Sequence, residues 1–484
     1  MPLPVISIAQ MREWERATWE TGQTGAAVIR RVGEKIAQRA LQLTLPGAAV
    51  LILAGKGHNG DDARAAREFL PGRRVEMLDL AAPENDLPRL ERVLGQNPAL
   101  IVDGLFGIGL DRPLTGDWQK IIAAVNQSGI PVLAVDVPSG LNADTGDPAS
   151  PGQAIKAAVT LTVGAPKSGL LAPNAWPFVG RLEVAGDVGL IPCPHTSGLN
   201  WTLPEDFTNF PPRRPAAGHK GTFGHLGIIA GSLGFHGAAV LASRAAQRAQ
   251  PGLVTLFTAE AVYHVTAAQL QAVMVSLWTP ELKLPETISA ILMGPGLAAP
   301  GLFDAMSQPL RRIWRDSHLP VVADASMLDW LPLGVSVRNA IRIITPHPGE
   351  AARLLSTTAQ QVQANRPHAV REISRRYGNC WVVLKGHQTL VGRSADLRSD
   401  GTASPQEGEI FVNPSGNPHL AQGGSGDALA GYLAGLLAQR PLLADAGRLI
   451  RFAVWQHGAA ADQLQSARAN WVVEDLIGEL GNAR

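Results

Sequence analysis

The sequence predicts an α/β protein built as two successive layered units. Three observations lead there. The chain has 484 residues, more than one ordinary hydrophobic core encloses. Short apolar runs recur along it, each separated from the next by a stretch of helical character. A proline-rich, aperiodic segment interrupts this alternation near the middle.

The elements follow in order. Residues 8–43 read as one or two helices preceding the first strand. Strands are expected at 49–54, 99–102, 132–135 and 159–163, then at 226–230, 253–257, 290–293, 320–323, 341–344 and 381–384. These runs are continuously apolar rather than alternating, the pattern of parallel strands buried on both faces. Strand–helix alternation then places ligand sites beyond the carboxyl ends of the strands. Residues 190–217 (LIPCPHTSGLNWTLPEDFTNFPPRRPAA) form the seam. A boundary near Phe210 gives units 1–210, with the linker 190–210 included, and 211–484. No short-period repeat is present, and the halves share no motif.

Composition excludes several classes. With 45% apolar and 17% charged residues the chain is not a disordered one. A net charge of +1 gives no bulk attraction to nucleic acid or acidic membranes. Cys193 and Cys380 are too few and too far apart for a disulfide framework or a metal cluster. The start lacks a basic segment followed by an apolar core, and no apolar run is long enough to span a bilayer. A cytoplasmic protein without nucleic-acid or membrane partners is expected.

The most informative stretch is Asn417-Pro-His-Leu-Ala-Gln-Gly-Gly-Ser-Gly-Asp427, with a helical run (428–437) behind it. Backbone N–H groups at a glycine turn, reinforced by the positive end of a helix, form an anion site. A phosphate held there would lie beside Asp427, which can take a proton from a hydroxyl. That is apparatus for phosphoryl transfer to an alcohol. Further glycine-rich turns follow other strands: Ala230-Gly-Ser-Leu-Gly-Phe-His-Gly-Ala-Ala239, Met293-Gly-Pro-Gly-Leu297, Thr345-Pro-His-Pro-Gly-Glu350 and Lys385-Gly-His-Gln-Thr389. Pro348 suits a first helical turn. Each site residue also has a structural reading: His347 as a helix cap, Lys385 as a strand-end lysine, Asp427 as an N-cap.

In family order, HKGTFGHLGIIAGSLGFHGAAVLASRAA from His219, GPGL from Gly294, TPHPGEAARLL from Thr345, VVLKG from Val382 and NPHLAQGGSGDALAG from Asn417 resemble the nucleotide-dependent NAD(P)H-hydrate dehydratases. The resemblance implies a ribokinase-like αβα domain. It also implies NADH hydrate or NADPH hydrate as substrate and ADP, with a magnesium ion, as phosphoryl donor. Asp427 would deprotonate the ring hydroxyl, which attacks the terminal phosphate; phosphate then leaves by elimination and AMP is the other product. Lys385, Gly386, His387, Gln388 and Thr389 match the ADP site. So do Asn417, Pro418, His419, Leu420, Ala421, Gln422, Gly423, Gly424, Ser425 and Gly426. Ala238, Gly296 and His347 match hydrate contacts. The chain departs from the family at Ala298, Ser326, Gln271 and Ala272, near the site, and altered affinity is expected from these.

In the first half, three strand-end loops carry oxygen ligands and glycines: Gly55-Lys-Gly-His-Asn-Gly-Asp-Asp62, Val102-Asp-Gly-Leu-Phe-Gly-Ile-Gly-Leu110 and Ala134-Val-Asp-Val-Pro-Ser-Gly-Leu-Asn-Ala-Asp-Thr-Gly146. They suggest a phosphate-bearing ligand and a hard cation. With QMRE from Gln10 and GAPKSGL from Gly164 they resemble the NAD(P)H-hydrate epimerase domain over residues 8–189, which implies a Rossmann-like αβα sandwich that interconverts the R and S hydrates. Asn59, Asp103 and Ser139 match potassium ligands. His58, Asn59, Gly60, Asp61, Asp62, Gly107, Ile108, Gly109, Leu110, Asp111, Arg112, Pro113 and Asp136 match hydrate-binding positions, and Asp136 is the acid/base candidate. His58, Asp61 and Ala63 replace an amide and two glycines of the family, and Val28-Ile-Arg-Arg-Val-Gly33 lacks the family's acidic residue. Asp61 adds a Cβ where positive φ is expected, so a weakened epimerase, or a half kept for docking, is predicted. Two other readings stay open at this level: a ribokinase-like vitamin-precursor or sugar kinase, and a nucleotide-binding sensor or scaffold. Relatives of this type assemble, so a homo-oligomer is expected.

Overall fold

The computed structural model describes residues 2–110, 112–150, 152–281, 283–334, 336–337, 340–395 and 408–483. The chain divides into two compact units, Leu3–Ser197 and Gly198–Arg484.

The first unit opens with two helices, Ile8–Glu20 and Gly25–Leu43. Ser7 starts the first through a reciprocal cap: its Oγ accepts the Gln10 N–H at 3.2 Å, and Gln10 Oε1 accepts the Ser7 N–H at 2.9 Å. Thr24 caps the second. The sheet runs Arg74–Asp79, Ala49–Ala54, Leu100–Gly104, Val132–Val135, Val159–Val163, Arg181–Ala185, parallel throughout. Its four inner strands are those the apolar runs predict, within two residues at each end. The two outer ones, RVEMLD and RLEVA, were not foreseen. Edge strands keep one side in water, so charged residues interrupt their apolar pattern.

In the second unit the strands Met274–Leu277, Leu253–Thr258, His225–Ile229, Ala290–Met293, Val321–Ala323, Arg342–Ile344 and Trp381–Leu384 lie side by side in parallel. Leu390–Gly392 and Ile410–Val412 continue the sheet antiparallel, and Leu199–Trp201 pairs parallel with Ile410–Val412. Part of the expected linker is therefore a strand of the second sheet, which moves the division ahead of Phe210. Among the described residues no helix is long and apolar enough to cross a membrane.

The core of this unit is organised by the helix Ser425–Leu437, buried at every position from Ala428 onward. It packs against His236–Arg248 through glycines. A Cβ on Gly431 would meet the Ala242 carbonyl oxygen at 2.0 Å, and one on Gly435 would meet Ala246 O at 2.6 Å. Glycine inside a helix ordinarily costs about 1 kcal/mol relative to alanine. Here the close approach reverses the sign. Gly431→Ala should destabilise the protein by about 2 kcal/mol and lower its thermal transition by roughly 5 °C, read by circular dichroism; a gain in stability would contradict this packing.

Candidate active sites

Parallel strands bring their following loops to one rim of each sheet, and the sequence-selected residues of the second half meet there. Ser425–Leu437 begins at Gly424, where φ is +92° and a Cβ would lie 2.5 Å from Leu241 Cδ1. Only glycine makes this turn. First-turn amides have no acceptor within their own helix, so the turn presents donors at its positive end. Ser425 is fixed from behind by His457, whose Nε2 lies 3.0 Å from the Ser425 carbonyl oxygen. Burial pushes His457 down to about 4, so it donates as a neutral ring.

Asp427 sits in that first turn, half-buried. Burial, with Asp324 and Glu350 nearby, pushes its carboxyl up to about 7, against the opposing pull of Lys385. Lys385 Nζ is 3.0 Å from Asp324 Oδ1 and 3.9 Å from Glu350 Oε2. It would also lie 3.3 Å from a Cβ at Gly426. Burial opposes the Lys385 charge, but Asp324, Glu350 and Asp427 together hold it above the ordinary lysine range. Asp324 in turn accepts the Thr345 hydroxyl at 2.6 Å.

His347 caps the helix Pro348–Leu355: its Nδ1 accepts the N–H groups of Gly349 (3.0 Å) and Glu350 (3.3 Å). The proton is thereby left on Nε2 of the exposed His347 ring, 3.6 Å from Oε1 of the buried Glu350. The capping role is real and leaves the outer edge of the ring available. Gly296 and Ala238 adjoin: a Cβ on Gly296 (φ +67°) would be 3.1 Å from Ala238 Cβ and 2.4 Å from Phe235 O. Ser232 Oγ donates to Gly296 O at 2.6 Å and accepts the amides of Ala298 and Ala299. Ala298 contributes its N–H and has no positive φ, so alanine serves there.

The loop Lys385, Gly386, His387, Gln388, Thr389 contains two left-handed residues, Gly386 (φ +134°) and Gln388 (φ +52°). In the companion loop, Asn417 Oδ1 accepts the His419 N–H, while its Nδ2 donates to Asp462 Oδ1 at 3.1 Å. Pro418–Leu420 form a short 3-10 turn. Gln422 Nε2 donates to His419 O at 2.7 Å, which leads the chain through Ala421 and Gly423 into the helix.

The first unit encloses a cavity of about 1100 Å³ at its strand ends. His58, Asn59, Asp62, Gly107, Ile108, Gly109, Leu110, Arg112, Pro113 and Asp136 all line it. Asp111 lies outside the described residues. Gly60 and Asp61 do not line it. Gly60 packs on the Gly55 carbonyl, which a Cβ would meet at 2.1 Å, and Asp61 Oδ1 bonds Arg64 Nη1 at 2.9 Å. Residues 58–66 are a regular helix, so Asp61 carries no positive φ, contrary to the sequence expectation. Ala63 is buried against Gly104, and Gly33 makes the close contact with Ala65. Arg30, in place of the expected acid, points to Glu68 at 3.9 Å and stacks on Phe69. The steric case for a weakened epimerase therefore falls away.

Asp136 stands at φ +60°, a conformation that costs energy outside glycine and clusters at functional sites. Its Oδ1 accepts from Thr162 Oγ1 (3.1 Å), the Val163 N–H (2.9 Å) and Lys167 Nζ (2.5 Å). Lys167 is fully buried. Burial, with Asp136 close by, raises the carboxyls of Glu15 and Asp62. Glu15 and Lys167 were not selected from the sequence; the signals were present, five residues after Gln10 and inside GAPKSGL.

Asp103 is completely buried and accepts the Ser139 hydroxyl (2.6 Å), the Ser139 N–H (2.9 Å) and the Leu105 N–H (3.2 Å). Burial still pushes it up to about 6. Asn59 donates to Phe106 O at 2.8 Å, and Phe106 N–H donates to Ser139 Oγ at 2.9 Å. Asn59 and Ser139 thus meet at the Phe106 backbone, and Asp103 joins them through Ser139. One buried carboxylate among neutral oxygens fits a hard monovalent cation. In the second unit Asp324 and Glu350 are committed to Lys385, and among the described residues no cluster of three or more His, Cys, Asp or Glu could hold a metal.

The Asp427 environment has a measurable cost. Unfolded, the carboxyl titrates near 3.8; folded, near 7. It favours the folded state below the lower value, and that contribution is lost as pH rises through the upper one. Asp427→Asn stays neutral throughout. Its stability margin over the wild type should grow between pH 4 and pH 8, to about 1–3 kcal/mol. Urea denaturation series across this range measure it; a pH-independent difference would contradict the assigned environment.

A sequence model described as NAD(P)H-hydrate dehydratase matches residues 226–480, and one described as YjeF-related protein N-terminus matches 73–169. The bifunctional NAD(P)H-hydrate repair enzyme Nnr of Coxiella burnetii is 34% identical over 481 residues, covering 94% of this chain and 93% of its own. That of Gloeobacter violaceus is 35% identical, covering 95% and 93%. A solved ADP/ATP-dependent NAD(P)H-hydrate dehydratase from Bacillus subtilis, co-crystallized with ATP/Mg2+, is 29% identical with a TM-score of 0.47, covering 56% of this chain and 92% of its own. With two units, two rim sites and full-length relatives in the same arrangement, the chain belongs to the family of bifunctional NAD(P)H-hydrate repair enzymes.

Proposed function

We propose that the second unit dehydrates the S form of NADH or NADPH hydrate at the expense of ADP, and that the first interconverts the R and S forms so that both are cleared. The observation that carries the reading is the placement of Asp427 at a glycine-turned helix start beside Lys385. A carboxylate titrating near neutrality is a useful base at working pH. Asp427 takes the proton of the ring hydroxyl, whose oxygen attacks the terminal phosphorus of ADP. The Gly423–Gly426 turn and Lys385 hold the negative charge that shifts toward AMP as the bond breaks. Phosphate, a far better leaving group than hydroxide, then departs with loss of a ring proton, and the double bond returns. Ala238, Gly296 and His347 orient the hydrate. Magnesium, when bound, would be carried chiefly by the nucleotide phosphates and water and would offset their charge.

In the first unit Asp136 is the acid/base group, held by Lys167 and facing the cavity with Glu15 and Asp62. Asn59, Asp103 and Ser139 would hold potassium, whose fixed charge would compensate the buried carboxylate. Asp61 faces Arg64, so its charge is directed away from the ligand.

Site-specific substitution should separate the two activities. Asp427→Asn should lower ADP-dependent return of NADH absorbance by about 10³ or more and leave R/S exchange within about twofold, while Asp136→Asn should do the reverse. The wild-type dehydration rate should fall on the acid side with a midpoint near pH 7, following Asp427. Asp61→Gly should leave epimerisation nearly unchanged. Loss of both activities in either single variant, with the fold intact, would contradict the assignment.

A further inference from the structure

Resting on the nucleotide-site reading above, we propose that Arg366 is the positioning residue that fixes the loop 385–389 and so sets the affinity for ADP. Arg366 opens the helix Arg366–Arg376 and is 6% exposed. Its guanidinium donates from Nη1 to the carbonyl oxygens of His387 and Gln388, the latter at 3.2 Å. Nη2 donates to Leu384 O at 3.2 Å. One planar group thus draws in three carbonyls that bracket the loop, from the end of its strand to its far side.

The loop needs such a clamp. Two of its five residues, Gly386 and Gln388, occupy the left-handed region, which costs energy for a side chain such as glutamine. A Cβ on Gly386 would lie 3.6 Å from Arg366 Nη2, which places the guanidinium directly beside the turn. A buried cation is expensive unless its donors are used, and the carbonyls around the turn accept from both Nη groups. The guanidinium thus stands next to a loop assigned to an anionic ligand. Burial, followed by Arg366 itself, lowers His387, keeping that ring uncharged. Lysine cannot reproduce the fork geometry.

Arg366 acts through the loop, so its replacement should separate nucleotide binding from hydrate binding. The experiment titrates ADP with magnesium into the full chain by calorimetry for the wild type, Arg366→Lys and Arg366→Gln. Steady-state KM values for ADP and S hydrate, and amide exchange over residues 384–389 of the free proteins, complete it. The ADP Kd should weaken about 10- to 100-fold. The hydrate KM should stay within about twofold, and exchange should quicken in the loop alone. Wild-type ADP affinity in Arg366→Lys, unchanged loop exchange, or a proportional rise in both KM values would overturn the proposal. If the glutamine variant fails to fold, the lysine variant decides. Absence of ADP binding by the wild type would instead defeat the nucleotide-site reading, and loop exchange would still judge the clamp.

Discussion

The contact between the helices Ser425–Leu437 and His236–Arg248 sets the terms for the second site. Gly431 and Gly435 let the two backbones approach more closely than any side chain allows. The helix start is thereby fixed against the sheet, with Gly424 turning the chain beside Leu241 and His457 holding Ser425. Asp427 is consequently withdrawn from water. The direction of the first-turn amides and the burial of Asp427 follow from that packing, while Lys385, at the end of the strand Trp381–Leu384, is brought beside Asp427 by Asp324 and Glu350.

Both units solve a similar charge problem. In the second, the Lys385 ammonium is set among Asp324, Glu350 and Asp427. In the first, buried Lys167 bonds Asp136, with Glu15 and Asp62 close enough to feel both charges. Burial first, and then the neighbouring carboxylates, hold Asp427, Glu15 and Asp62 above their ordinary range, and the lysines only partly oppose this. In the second unit Asp427, pushed up to about 7, can keep or release a proton near neutral pH, which suits chemistry at a hydroxyl. The same arrangement is costly for stability, because burying partly compensated charge is unfavourable. Tight glycine-mediated packing in the surrounding core offsets part of that cost.

What could be read in advance follows physical lines. Most interior strands announced themselves because both faces are apolar, but the three-residue interior strands Leu390–Gly392 and Ile410–Val412 were too short to do so. The edge strands Arg74–Asp79, Arg181–Ala185 and Met274–Leu277 did not, because water lies on one side. The short strand Leu199–Trp201 was hidden inside a proline-rich seam and takes its order from its partner Ile410–Val412. Glycine turns and the residues beside them were legible, since positive φ and close approach leave a clear residue signature. Asp61 was misjudged because a family glycine there suggested a strained turn, whereas the position is helical and its side chain meets Arg64 one turn on. Asp324, Glu350, Glu15, Lys167 and Arg366 act through residues distant in sequence. Their partners emerge only when the sheet assembles.

The central claim is that one chain carries two working sites that act in series on a damaged cofactor. Its most direct measurement is the progress curve of NADH absorbance for the wild-type chain given an R/S mixture of NADH hydrate with ADP, magnesium and potassium. Complete, prompt recovery is the predicted result. Recovery that halts once the S form is consumed, then creeps at the spontaneous rate, would contradict a working first site. No recovery with ADP would contradict the account of the second.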